Sequence, residues 1–506
     1  MNVATQEQVL FGWIFVVFYM GTILFFVVRG ALKTKSMDDY ALGNMQFTPL
    51  FVALSFAAAT TSAATFIINP GFIAIYGLSA FLSVGIAYPL SAILSFIILS
   101  KGFRKFGSSV KAETLAQWIG KKYDSKFLQT FFSILSFLLV TFIVLILVGL
   151  SQVFSKLLNV DVIYVLTFVV IFIFGYMMFG GANSMVYTNT IQAFLMIITA
   201  IFMLSSGLDY FIEGNFWNKL KEIDPLLLQT KNPNSPLFRD YVEIFLFQFI
   251  IGIAIICQPH ILTKALLLKS DSDVNKYLFY GVIVQALFFL VVFTGFYARL
   301  LFPDLTFQGQ KLKMDEIIPT YIVVKFNVYV TILLVLGVIS AGISTLEGLI
   351  QSLSTTITVD LIKNAILKGK ETNYLLVNKI VIVIIGVVSW FLAYDQIINP
   401  KLSVAIFAQS GVYAFFAVSF IPLFFGMFLK DVNKNTILIT SIITLLLYFW
   451  IFYTGKFPYI SRYLLDENSN VLPIINPAIP AGVSIVFSIL LGAILHYIFS
   501  KNKKNS

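Results

Sequence analysis

Ala57-Ala58-Ala59-Thr60-Thr61-Ser62-Ala63-Ala64-Thr65-Phe66 lies inside an apolar stretch long enough to cross a bilayer, and Asn69-Pro70-Gly71 follows it. A membrane helix with a small, hydroxyl-rich middle is a candidate for interruption at mid-membrane. There, freed carbonyls and half-helix ends coordinate ions and polar solutes. The string also suits a close packing face, its hydroxyls bonded back to the preceding turn. A second string of this kind, Ser340-Ala341-Gly342-Ile343-Ser344-Thr345-Leu346-Glu347-Gly348, sits in the middle of the apolar stretch 328–360. Ser344 and Thr345 come one turn after Ala341, so their hydroxyls and the Ala341 carbonyl converge on a point beside that helix. Hard cations want oxygen ligands, and a carboxylate-rich cage would suit Ca²⁺. Hydroxyls plus carbonyls suit a monovalent ion that must also leave. Ser/Thr pairs equally serve as glue between membrane helices.

Working outward, thirteen stretches approach the roughly 20 apolar residues a spanning helix needs. They run over 9–30, 48–75, 78–100, 127–155, 162–180, 187–212, 241–265, 276–301, 328–360, 376–397, 403–428, 435–453 and 475–499. The first lacks a basic segment before it, with Glu7 as its only nearby charge, and is expected to persist in the mature chain. The connections 213–240 and 302–327 are rich in Pro, Asn, Asp and Lys and read as surface loops or short extracellular helices.

Composition agrees. Of 506 residues, 59% are hydrophobic and 11% charged, against roughly 45–50% and 25% in globular domains. These proportions exclude a soluble enzyme, a disordered chain and a nucleic-acid binder. The net charge of +10 therefore bears on orientation, because Lys and Arg collect in cytoplasmic loops. With the N-terminus outside, cytoplasmic segments hold 21 basic residues and outside segments 12. The strongest contributor is the 101–126 loop, with Lys101, Arg104, Lys105, Lys111, Lys121, Lys122 and Lys126. The expectation is a multi-pass protein of the plasma (inner) membrane with its N-terminus outside and its C-terminus in the cytoplasm.

A single cysteine, Cys257, excludes an intrachain disulfide and a cysteine-based metal site, and two histidines, His260 and His496, argue against a His-rich one. No HExxH motif or nucleotide loop appears, which disfavours a membrane enzyme. No repeated pore-loop filter is evident, which disfavours a channel, the alternative of a different class. No obligate protein partner is evident, and the expected surroundings are the lipid bilayer.

Four strings in order resemble motifs of the solute:sodium symporters, the family of the bacterial proline, pantothenate and sialic-acid permeases and the sodium–glucose cotransporters. They are Asp39-Tyr40-Ala41-Leu42-Gly43-Asn44, Gly180-Gly181 with Val186-Tyr187-Thr188-Asn189-Thr190-Ile191-Gln192, Gln258-Pro259-His260 after Cys257, and Ala341 to Thr345. The resemblance runs from about Phe11 to Phe428 and implies an all-α membrane fold of the leucine-transporter type. It places two inverted five-helix repeats at 48–212 and 241–428. Around them lie a peripheral first helix and linker (1–47), an extracellular loop (213–240) and two peripheral C-terminal helices with a short tail (429–506).

The resemblance also implies Na⁺ as coupling ion, held by the Ala58, Thr61 and Ala341 carbonyls and the Ser344 and Thr345 hydroxyls. Thr60, Ser62, Thr65, Gln248 and Gln409 are its implied solute-binding candidates. Two departures concern a second site. Asn189 stands where the family has aspartate, and Glu347 replaces a serine. An intramembrane carboxylate is a functional-site hypothesis by default, so Asn189 and Glu347 are expected to face each other and hold a second Na⁺ or an exchangeable proton. Protonated packing is the alternative for Glu347. The implied activity is Na⁺-coupled symport of a small organic solute by alternating access. The Ser62 to Gly71 string leans toward a carboxylate or vitamin-like solute, with a sugar or amino acid, or a proton-assisted variant using Glu347, as alternatives.

Overall fold

The computed structural model describes residues 3–43, 47–110, 112–262, 264, 268, 270, 272–399, 404–455, 464–465, 471–472 and 476–505. Asn44 of the first motif, and Lys111, Lys269, Lys401, Lys456 and Arg462 of the basic count, lie outside the described residues.

The chain is a bundle of apolar helices. In order they are α1 (Gln6–Ala31), α2 (Pro49–Thr60), α3 (Ala64–Tyr76), α4 (Leu78–Gly102), α5 (Lys126–Leu158), α6 (Val162–Met177) and α7 (Ala182–Ile212). Then come α8 (Val242–Cys257), α9 (Asp273–Leu301), α10 (Val328–Ile366), α11 (Tyr374–Ile398), α12 (Val404–Phe428), α13 (Lys434–Thr454) and α14 (Ala478–Lys501). Among the described residues, ten are long and apolar enough to cross a bilayer singly, and α2 with α3 makes an eleventh span, bent by 59°. Two of the thirteen expected stretches, 162–180 and 241–265, form shorter helices, α6 and α8. In the first case, Gly180 and Gly181 end the helix early. Gly181 takes φ +86° against Tyr40, whose Cα stands 3.0 Å from where a Cβ would sit, so only glycine fits.

Two interior helices organise the bundle. Most of α10 and nearly all of α12 are buried, whereas only a third of the apolar windows of α1 and α11 is buried. Those outer helices present large apolar side chains, such as Phe18 and Phe25 on α1 and Ile384 and Phe391 on α11. In water such a surface would be costly; facing hydrocarbon it is what a spanning helix requires. The extramembrane connections carry short elements: helix Phe216–Ile223, a hairpin pairing Thr306–Phe307 with Gln310–Lys311, and helix Met314–Lys325. Phe216 anchors its helix on the bundle by stacking against Phe211 and Phe293.

Candidate functional site

The break between α2 and α3 is built from its own side chains. Thr60 turns its hydroxyl back to the Phe56 and Ala57 carbonyls, at 3.0 and 3.1 Å. Thr61 leaves helical geometry, with φ −108° and ψ 98°. Ser62 restarts the chain by accepting the Ala64 N–H at 3.1 Å. The new segment opens as a π turn over Ala64–Ile68, just before Asn69-Pro70. Proline brings no N–H to the helical ladder, and a wide turn tolerates that loss better than a regular one.

Ala57, Ala58 and Ala59 are fully buried, and their small size lets α10 approach the backbone. Ser344 donates to the Ala58 carbonyl at 2.8 Å and shares its hydrogen with the Ala341 carbonyl at 3.1 Å. Thr345 donates to the Ala59 carbonyl at 3.2 Å and to the Ala341 carbonyl at 3.2 Å. Thus four of the five residues expected around the ion, Ala58, Ala341, Ser344 and Thr345, meet at one point. Thr61 sits at the break beside them, with a buried hydroxyl that has no partner. Chemically this is a cluster of hydroxyl and carbonyl oxygens free of carboxylate, apt for a small hard monovalent cation.

A cavity opens on the other side of the break. Its lining includes all five solute candidates: Thr60, Ser62 and Thr65 from the break, Gln248 from α8 and Gln409 from α12. Asn69, Tyr88, Gln258 and Tyr413 join them. Among the described lining residues none is charged. Gln285 stands behind this wall, donating to the Thr60 hydroxyl at 3.4 Å. Ala59 belongs to both sites, lining the cavity while its carbonyl accepts from Thr345. Three amide side chains line this cavity from outside the break: Gln248 on α8, Gln258 just after α8 and Gln409 on α12.

Asn189 and Glu347 lie nearby but bond to different partners. Glu347, 1% exposed, accepts from the Tyr176 hydroxyl at 2.6 Å and from Thr188 at 2.9 Å. Asn189, the residue after Thr188, donates to the Ser55 hydroxyl at 3.3 Å and leaves its own carbonyl oxygen buried without a partner. No hydrogen bond joins Glu347 to Asn189.

Sequence reasoning missed Lys264 altogether. Counted among the cytoplasmic basic residues, it is 5% exposed and donates to Ser55 at 3.0 Å. A lysine at the end of an apolar span reads as an interfacial cation, and only tertiary packing turns this one inward. His260, whose ring packs on Gly348, is likewise buried in this neighbourhood.

Comparison with known proteins gives the family and the fold. The model of the sodium:solute symporter family matches residues 40–444. The sodium/pantothenate symporter of Haemophilus influenzae is 27% identical over 347 residues, 67% of this chain and 69% of that protein. The high-affinity proline transporter of Bacillus subtilis is 24% identical over 422 residues, 79% of this chain and 84% of that protein. The solved structure of a Na⁺-coupled sialic acid symporter, substrate-bound and outward-open, superposes with a TM-score of 0.75 at 15% identity, covering 96% of this chain and 98% of that one. At that identity the likeness speaks for the fold.

Proposed function

The chain belongs to the sodium:solute symporter family, and from that premise we propose that it takes up a small organic solute with Na⁺ held at the α2–α3 break and α10. It is a multi-pass membrane transporter, not an enzyme, and Na⁺ is its coupling ion. Our assignment of ligands is the Ala58, Thr61 and Ala341 carbonyls with the Ser344 and Thr345 hydroxyls. The observation that carries it is the pair of hydrogen bonds from Ser344 and Thr345 to the Ala58 and Ala59 carbonyls. With Na⁺ present, each hydroxyl rotates its hydrogen away and turns a lone pair to the ion. The carbonyls then lose a weak donor and gain a cation.

Coupling follows from the shared backbone. Na⁺ ties α2 to α10 and fixes the break; the solute, bound to Thr60, Ser62, Thr65, Gln248 and Gln409 on the other face, then spends less ordering the same residues. That is positive linkage between the two sites. Rocking of the bundle exposes both sites inward. Each Na⁺ entering gains about 2.3 kcal/mol per 100 mV, added to its concentration gradient. We keep the orientation with the N-terminus outside, on the distribution of basic residues.

The solute class follows from the uncharged wall. A dianion or dication in that cavity would lose its hydration with no side chain of opposite charge to replace it. We therefore propose a neutral, zwitterionic or singly anionic solute, vitamin-like carboxylates, amino acids and sugars all falling within this class. Glu347 and Asn189 form the neighbouring polar cluster of the proposal. A thermal-shift screen of the purified protein over these compounds, with Na⁺ or with K⁺, tests the reading. A ligand that raises the melting point only in Na⁺ supports it; stabilisation indifferent to Na⁺, or confined to dianions, overturns it.

A further inference from the structure

We infer that the Lys264 ammonium is the resident counter-cation of Glu347, filling beside the Na⁺ site the electrostatic place of a second coupling ion, so that the chain binds one Na⁺ and not two. This rests on the Na⁺ site proposed above.

The inference starts from charge. Glu347 lies at the middle of α10, and both its oxygens accept from neutral hydroxyls, Tyr176 and Thr188. These bonds hold the carboxylate in place without neutralising it. Lys264 is equally buried and bonds to a neutral hydroxyl, Ser55. Among the described residues no direct ion pair joins the two. The bridge between them is short in sequence: Thr188 holds Glu347, and its neighbour Asn189 holds the same Ser55 oxygen that Lys264 occupies. Ser55, in turn, precedes the Na⁺ ligand Ala58 by three residues on α2. One cluster therefore contains one buried carboxyl group, one buried amine and neutral donors between them.

Such a cluster is balanced as it stands. A buried charge persists only when paired or compensated. Admitting a second Na⁺ beside Glu347 would leave one uncompensated positive charge in low dielectric, and the ammonium would repel the ion. Removing the ammonium would do the reverse. It would leave the Glu347 carboxylate uncompensated and the Asn189 carbonyl oxygen, already without a donor, free to take an ion. Ser55 would regain a lone pair. Those three oxygens, with Thr188, form the oxygen-rich shell that a hard cation accepts.

Equilibrium binding of ²²Na⁺ to the purified full chain, with no solute present, tests this. The wild-type protein is expected to bind one Na⁺ with a Hill coefficient of about 1. Lys264→Met is expected to bind two, with a steeper isotherm. Lys264→Arg keeps the count at one, and Lys264→Met with Glu347→Gln returns it to one. A wild-type count of two, or a folded Lys264→Met chain still binding one, overturns the inference. If Lys264→Met does not fold, the neutral double variant, followed by thermal melting, replaces it. Recovery of a cooperative melt supports charge pairing, and failure to recover overturns it. A wild-type chain that binds no Na⁺ refutes the proposed Na⁺ site itself, which is a different result from binding two.

Discussion

Replacing Ser344 by alanine removes one hydroxyl from the point where α10 meets the break. That hydroxyl is fully buried and bonds the Ala58 and Ala341 carbonyls at 2.8 and 3.1 Å. Two effects separate. Without Na⁺, the variant loses a shared hydrogen bond and leaves the Ala58 carbonyl without its donor, at a cost of about 1–2 kcal/mol in stability. With Na⁺, it also loses an ion ligand. An interaction with a charged group is worth about 1.5–3 kcal/mol, so Na⁺ affinity falls roughly tenfold to hundredfold. The assay is the difference in unfolding free energy with and without Na⁺. At Na⁺ one hundred times the dissociation constant, that difference is about 2.7 kcal/mol in the wild-type chain. A tenfold loss of affinity reduces it to about 1.4 kcal/mol at the same Na⁺ concentration. The reasoning fails if Ser344→Ala lowers the baseline stability yet keeps the full Na⁺-dependent increment. That outcome would make the hydroxyl helix glue and nothing more.

Gln248→Ala and Gln409→Ala are expected to weaken solute-induced thermal stabilisation at least tenfold while leaving solute-free ²²Na⁺ binding unchanged, because their side chains line the cavity and not the ion cluster. Arg239→Ala strips the partner from Glu243, which is 2% exposed and accepts from the Arg239 guanidinium at 2.9 and 3.2 Å. Thermal or denaturant melts are expected to show a loss of about 3–5 kcal/mol, largely recovered in Arg239→Met with Glu243→Leu. Glu113, in the connection between α4 and α5, has its carboxyl raised above the usual range by burial, with the Asp38 charge adding to the shift. The folded state thus holds this proton more tightly than the unfolded one. The stability it contributes is present below the ordinary carboxyl range and is lost as pH rises through the raised value. Glu113→Gln is therefore expected to raise the melting point above that window and leave it unaltered below it.

How much of this was legible from sequence depends on the range of the interactions. The α2–α3 break is local: Thr60, Thr61, Ser62 and Pro70 encode it within a few residues, and the string announces it. Ser344 and Thr345 were legible for the same reason, since helical spacing from Ala341 fixes where their hydroxyls converge. The cavity candidates on α8 and α12 came through the family resemblance, and the structure brings them to one wall. The Glu347 environment was legible only in part. Its partner on α7 is Thr188 and not the adjacent Asn189. Neighbouring residues on a helix differ by about 100° in direction, and no sequence pattern decides which faces α10. Lys264 was illegible because its character depends wholly on tertiary packing against Ser55.

The most direct test of the whole account is an experimental structure determined in NaCl. The account predicts a cation coordinated by the Ser344 and Thr345 hydroxyls and by backbone carbonyls of the α2 break and Ala341. A cation bound elsewhere with those hydroxyls still donating to Ala58 and Ala59, or an unbroken helix through Thr61, contradicts it.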